Sequence, residues 1–163
     1  MVNASHAGLG AAAAERSEVL KSALGPLAYP AGAVAAGIAE AAWDLRVTLD
    51  GEIVHDGPTL MVGVANAPSI GGGTRLVPPA LPDDGRLDLI VVSAVGPAAR
   101  LAFAAALRDE AHLDREDVLH LRGLRVTIAG ELIAHDLDGE ITADLASCTY
   151  TVVPSAWRMV VPA

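Results

Sequence analysis

The pentapeptide Leu-Asp-Gly-Glu-Ile occurs twice in this chain, at Leu49–Ile53 and at Leu137–Ile141. An Asp-Gly pair favours a two-residue hairpin turn, which needs no function. A glutamate beside such a turn, facing a cleft, has the chemistry of a general base. Local sequence does not separate the two copies. A further acidic turn, Leu81-Pro82-Asp83-Asp84-Gly85-Arg86-Leu87-Asp88, gathers carboxylates and turn carbonyls, the oxygen donors that Mg²⁺ takes together with water; the same residues also make a plain solvated turn. Asn66 and Pro68 open a loop that continues into Gly71-Gly72-Gly73. Without Cβ atoms, these glycines let backbone amides approach a phosphate or simply turn the chain. No Gly-Lys-Ser/Thr follows, and Leu76-Val77-Pro78-Pro79 cannot open the helix a P-loop requires, so this is not a nucleotide loop of that type.

Other chemistries lack their residues. The five histidines, His6, His55, His112, His120 and His135, have no zinc-ligand spacing. No serine sits in a Gly-x-Ser-x-Gly elbow. The lone cysteine, Cys148, lies between Ser147 and Thr149, which supply no general base, so it reads as an inert thiol.

The formal charge of −9 comes from 20 acidic and 11 basic residues, with no Lys/Arg cluster to track a phosphate backbone; nucleic acid is excluded as a partner. The same charge opposes broad adhesion to anionic lipid and leaves room only for local apolar contact with a bilayer. The first residues lack the basic segment and apolar core of a signal peptide, which points to a cytoplasmic location, at most peripheral at a membrane. Ser22 to Ala39 is uncharged over nearly the length of a membrane span. Gly25, Pro26, Pro30, Gly32 and Gly37 interrupt it, and a buried helix is the better reading.

The elements that must position these residues follow from periodicity. A chain of 163 residues makes one domain with one core. With 52% hydrophobic but only 3% aromatic residues, that core is built of Ala, Val, Leu and Ile. Val2 to Gly10 reads as a strand and turn. Ala11–Leu20 has helical propensity, and a second helix starts at Pro26 or Pro30 with Leu27, Val34, Ile38 and Ala41 at helical spacing. Leu45, Val47 and Leu49 alternate with polar residues and turn at Gly51 into Ile53, a hairpin signal. Leu60–Ala65 and Leu87–Ser93 read as buried strands. Pro97 opens a helix through Arg108 with Leu101, Ala104 and Leu107 inward. Val118–Ile128, Ile141–Val153 and Trp157–Val161 complete a strand-rich second half, and His135-Asp136 is only loosely patterned. Together these predict an α+β fold, mainly β: a large antiparallel β-sandwich with two or three helices packed on it, in a single domain over residues 1–163.

Taken in order, these segments resemble the C-terminal, substrate-side domain of bacterial diacylglycerol kinases, a family similar to sphingosine and ceramide kinases. The resemblance runs through Asn3-Ala4-Ser5 with Gly8-Leu9-Gly10, Gly25-Pro26-Leu27-Ala28-Tyr29, Asn66 with the three glycines, Pro79-Ala80, Asp83 to Asp88, Asp138-Gly139-Glu140 and the ending Val153 to Pro162. It implies a lipid hydroxyl as acceptor, ATP as co-substrate and Mg²⁺ as cofactor. The nucleotide site would lie in an N-terminal domain whose Gly-Gly-Asp-Gly-Thr motif is absent from this sequence. It also implies that Glu140 is the proton acceptor, with Asp138 in the same catalytic turn; that Asn66, Gly71, Gly72 and Gly73 form the substrate or phosphate loop; and that Asp84, with the carbonyls of Leu81 and Arg86, forms a Mg²⁺ site. On this reading the chain alone is inactive and forms a homodimer. The alternatives are a stand-alone, non-enzymatic module that binds lipid or regulates a kinase, and a domain of an enzyme similar to NAD kinases.

Overall fold

The computed structural model describes residues 3–8, 42–70, 73–93, 96–156 and 158. Outside them lie both expected N-terminal helices, the uncharged span from Ser22 to Ala39, Gly71, Gly72 and, apart from Arg158, the final expected strand. Ten strands, one α-helix and a 3-10 turn make up the described elements. Among these residues no helix is long and apolar enough to cross a membrane.

Two antiparallel sheets face each other. The six-stranded sheet has the order β6 (Val118–Gly123), β5 (Leu87–Val92), β4 (Met61–Ala65), β1 (Ala4–Gly8), β8 (His135–Leu137), β9 (Glu140–Ile141). The four-stranded sheet has the order β10 (Leu145–Thr151), β7 (Arg125–Ile133), β2 (Trp43–Leu49), β3 (Glu52–Thr59). Every β4 and β5 residue is buried, including Asp88 of β5, as the apolar run of β4 and the largely apolar run of β5 require of strands covered on both faces. Alternation in β2 instead sends Leu45 and Val47 inward and leaves Arg46 outside, paired with Asp56.

One apolar cluster fills the space between the sheets. Ala7, Val62, Val64, Leu89 and Val91 from the first sheet meet Leu45, Val47, Val126, Ile128 and Tyr150 from the second. At about 1.5–3 kcal/mol for each fully buried large aliphatic side chain, this layer is the main source of cohesion. A second cluster lies on the opposite face of the six-stranded sheet, where Ala4, Ile90 and Val92 meet Leu76, Val77 and Phe103.

The helix α1 (Pro97–Arg108) forms where Pro97 predicts it, but its inner face is turned from the expected one. Leu101 and Ala104 are exposed; Phe103 and Arg100 are buried, with Ala99 and Leu107 partly so. The single phenylalanine carries the most apolar area and sets the rotation, with its ring edge-on to His112 at 6.1 Å. His112 Nε2 in turn donates to the Leu76 carbonyl at 2.7 Å and holds the 76–80 segment down.

Two expected strands each divide in two because the chain changes sheets. Val118–Ile128 breaks after Gly123, where a Cβ would stand 2.5 Å from Leu49 Cδ1, so a larger residue there would have to displace the Leu49 side chain. Ile141–Val153 breaks between β9 and β10. Both Leu-Asp-Gly-Glu-Ile copies are two-residue hairpins with the same backbone: φ is 50° and 95° at Asp50 and Gly51, and 55° and 98° at Asp138 and Gly139. The loosely patterned His135-Asp136 segment is a strand.

Candidate functional site

Side chains on β1 alternate between the two faces of its sheet. Ser5 and Ala7 look into the sandwich; Ala4 and His6 look the other way. Pairing with β8 places His6 opposite Asp136 and Ala7 opposite His135, so two histidines adjacent to this seam stand on opposite faces.

On the outer face lies a cavity of about 430 Å³, within the usual range for a small-molecule site. Its walls include His6, Asp136, Asp138, Ser69, Ile70 and Gly73. The loop after β4 and the second Asp-Gly turn, far apart in sequence, therefore bound one space. Asn3 links them: its side-chain amide donates to the Ser69 carbonyl at 2.6 Å, its carbonyl accepts the Asn66 amide at 2.7 Å, and its own amide donates to Asp138 Oδ1 at 2.9 Å. Gly73 takes φ 83° and donates its amide to the Ile70 carbonyl, a left-handed turn that favours glycine. Asp136 Oδ1 accepts the Gly139 amide at 2.7 Å and closes the hairpin. Its Oδ2 stands 3.8 Å from His6 Nε2. His6 Nδ1 is buried without a partner. Burial pushes the His6 imidazole below its ordinary pKa, and the Asp136 charge opposes that shift.

Facing the sandwich interior, Tyr150 Oη lies 2.8 Å from Ser5 Oγ and 2.6 Å from His135 Nδ1. Burial raises the Tyr150 phenol and lowers His135, the latter further lowered by His6. Neither His6, His135 nor Tyr150 stood out in the sequence; only strand pairing makes them neighbours of the motif residues.

Asp84 lies elsewhere. It borders a wider hollow of about 1250 Å³ with Asn66, Leu137, Tyr150 and Val152, whereas Gly73 and Asp138 border the smaller cavity. Asp84 Oδ1 accepts the Arg86 amide at 2.9 Å, and its Oδ2 is paired with Arg122. Arg122 Nε also stands 3.4 Å from Asp88 Oδ1, which His120 Nε2 approaches at 2.8 Å. Asp88 Oδ2 is buried without a hydrogen-bond partner. At the expected Mg²⁺ site, Asp84 Oδ2 is thus paired with a guanidinium, and a cation there would have to displace Arg122. Glu140 is exposed on the edge strand β9 and lines neither hollow.

Over residues 3–161 the sequence matches the family described as YegS C-terminal NAD kinase beta sandwich-like domain. No curated protein sequence matches it. Among solved structures it is similar to a diacylglycerol kinase from Bacillus anthracis str. Sterne, at 21% identity and a TM-score of 0.66, covering 93% of this chain and 49% of that one. Two further structures described as such a kinase from the same organism give TM-scores of 0.66 and 0.62, each at 21% identity, with 94% and 96% of this chain covered. The chain spans about half the length of these structures.

Proposed function

The chain belongs to the YegS C-terminal NAD kinase beta sandwich-like domain family, and on that premise we propose that it is the acceptor-side half of an ATP-dependent lipid kinase, its substrate a lipid with a free hydroxyl. The observation that carries this reading is the cavity shared by the loop after β4 and the Asp138-Gly139 turn. Phosphoryl transfer is mainly positioning and charge neutralisation, with a base for the hydroxyl proton. In this reading the cavity holds the hydroxyl end of the lipid. Glu140, exposed on β9 next in the chain to Gly139 of the cavity wall, meets the nucleotide and takes the proton. ATP, and the Mg²⁺ that accompanies its phosphates, are supplied by a separate nucleotide-binding unit, since no phosphate loop of the P-loop type is legible in this chain.

An acceptor that carries a pyrophosphate, as NAD does, would bring negative charge toward Asp136 and Asp138 on the cavity wall, and like charges repel. Self-association through sheet edges, a cytoplasmic location and at most peripheral membrane contact belong to the same reading. The test is transfer of radiolabel from ATP to diacylglycerols and sphingoid bases. The expected result is no transfer by the chain alone and transfer when a nucleotide-binding half is joined to it. Transfer by the chain alone, or none with either lipid class once joined, overturns the reading.

A further inference from the structure

The facing atoms of His6 and Asp136 are too far apart to bond each other and are well placed to share a third atom. At 3.8 Å the separation exceeds a hydrogen bond by most of an ångström. A single oxygen about 2.8 Å from each atom would fit between them, with the two directions about 85° apart, an angle a hydroxyl accommodates when it accepts from one side and donates to the other. Both residues are more than nine-tenths buried, yet both border the cavity, so this polar gap opens onto space a ligand can enter.

The proton positions follow from what is orphaned. His6 Nδ1 is enclosed with no partner, and an unpaired buried acceptor is tolerated better than an unpaired buried donor. The hydrogen therefore belongs on Nε2, the atom that faces Asp136. Asp136 Oδ1 is committed to the Gly139 amide, which leaves Oδ2 as the open acceptor. The pair thus presents one donor and one acceptor to the same point, the complement of an alcohol O–H. It is a poor complement to an anion, because Asp136 and Asp138 both border the space.

We propose that His6 and Asp136 form a seat for an alcohol hydroxyl, with His6 Nε2–H donating to the hydroxyl oxygen and Asp136 Oδ2 accepting its hydrogen. The seat takes the free alcohol and rejects its phosphate ester. Resting on the lipid-kinase reading, this makes His6 and Asp136 the residues that position the acceptor hydroxyl and makes product release a matter of charge repulsion. Asp136 orients the hydroxyl in the bound state, and the seat itself performs no proton transfer.

The experiment titrates the 163-residue chain with 1,2-dihexanoylglycerol and follows the His6 imidazole nitrogens by NMR. Parallel titrations use trihexanoylglycerol, whose hydroxyls are all esterified, and dihexanoyl phosphatidic acid. Saturable perturbation of His6 by the alcohol is expected, with at least ten-fold weaker binding of the other two. Asp136→Asn, which keeps an acceptor for the Gly139 amide, should weaken the alcohol at least ten-fold, and His6→Gln, its titration followed by backbone amide shifts of the cavity residues, provides a second variant if the first fails to fold. Equal perturbation by the triester, unchanged affinity in a folded variant, or no perturbation by the alcohol overturns the seat. Binding needs no ATP, so the two readings fail separately. A seat that works in a protein with no kinase activity would overturn only the kinase reading. Lipid phosphorylation untouched by Asp136→Asn would overturn only the seat.

Discussion

The Asp138 carboxylate accepts the backbone amides of Asn3 and Ala4 through one oxygen, each at 2.9 Å, and so fastens the second Asp-Gly turn to the start of β1. Asp50 does the same in the first copy, accepting the amides of Leu124 and Arg125 with its Oδ1 at 2.9 and 2.8 Å. In both copies the aspartate ties a hairpin to the beginning of another segment. Asp138, expected in a catalytic role, has this structural task in the fold. Asp138→Ala should therefore lower stability by about 1–3 kcal/mol, the cost of leaving amides without their charged acceptor. Asp138→Asn, which retains one carbonyl oxygen, should cost less. Urea denaturation of the two variants measures the difference, and equal losses would count against the role.

Tyr150→Phe removes the hydroxyl shared by Ser5 and His135 and leaves both buried partners short of a bond. A loss of about 1–3 kcal/mol follows. Adding Ser5→Ala to Tyr150→Phe should cost less than the sum of the two single changes. A double-mutant cycle by chemical denaturation checks this, and additive losses would deny the coupling.

Acid should weaken the fold through His6 and His135. Burial lowers both from an ordinary pKa of 6.5. As pH falls below that value the unfolded chain binds protons first, and stability falls with it until the folded-state values are passed. Asp136 faces His6 and opposes its shift; Tyr150 and Ser5 are the other polar groups at His135. Unfolding midpoints in denaturant at pH 7.5 and 5.5 should show the loss, and His6→Gln and His135→Gln should each flatten it. A pH-independent midpoint in the parent chain would contradict the assignment.

With Arg122 already between Asp84 and Asp88, millimolar Mg²⁺ should leave the melting temperature of the parent chain unchanged. Arg122→Gln should lower stability by about 1 kcal/mol, since the pair is only partly shielded from solvent. Mg²⁺ should restore part of that loss, because a cation that binds only the folded state stabilises it. Thermal melts of both proteins with and without the ion decide the matter. Stabilisation of the parent would mean that Mg²⁺ displaces the guanidinium.

In a complete enzyme with its nucleotide-binding half, Glu140→Gln should lower kcat by about 10²-fold, the usual scale for losing a general base. Glu52→Gln should leave it nearly unchanged. Both glutamates are exposed beside hairpins of the same shape, so folding should survive either change. Equal losses of kcat would remove Glu140 from the proton-acceptor role.

The sequence by itself determined the sandwich of antiparallel strands, the central strands β4 and β5, the Asp50-Gly51 hairpin and the helix beginning at Pro97. Each of these is written in a local signal: an unbroken apolar run, alternation of period two, a turn dipeptide, a proline in a first turn. Sequence also brought the loop after β4 and the second Asp-Gly turn into view as candidate chemistry. It did not place Asp84 and Asp138 in separate hollows, turn α1 onto Phe103, or set Arg122 against Asp84. Least legible was the relation of His6 to Asp136, 130 residues apart with no motif between them, because it depends on β1 pairing with β8 in one register. A shift of one residue in that pairing would turn one of the two away from the other. Chain neighbours His135 and Asp136 show the same thing: the pleat sends one into the sandwich and the other to the cavity. Local patterns carry the alternation of faces, and only the assembled sheet decides which residues meet across them.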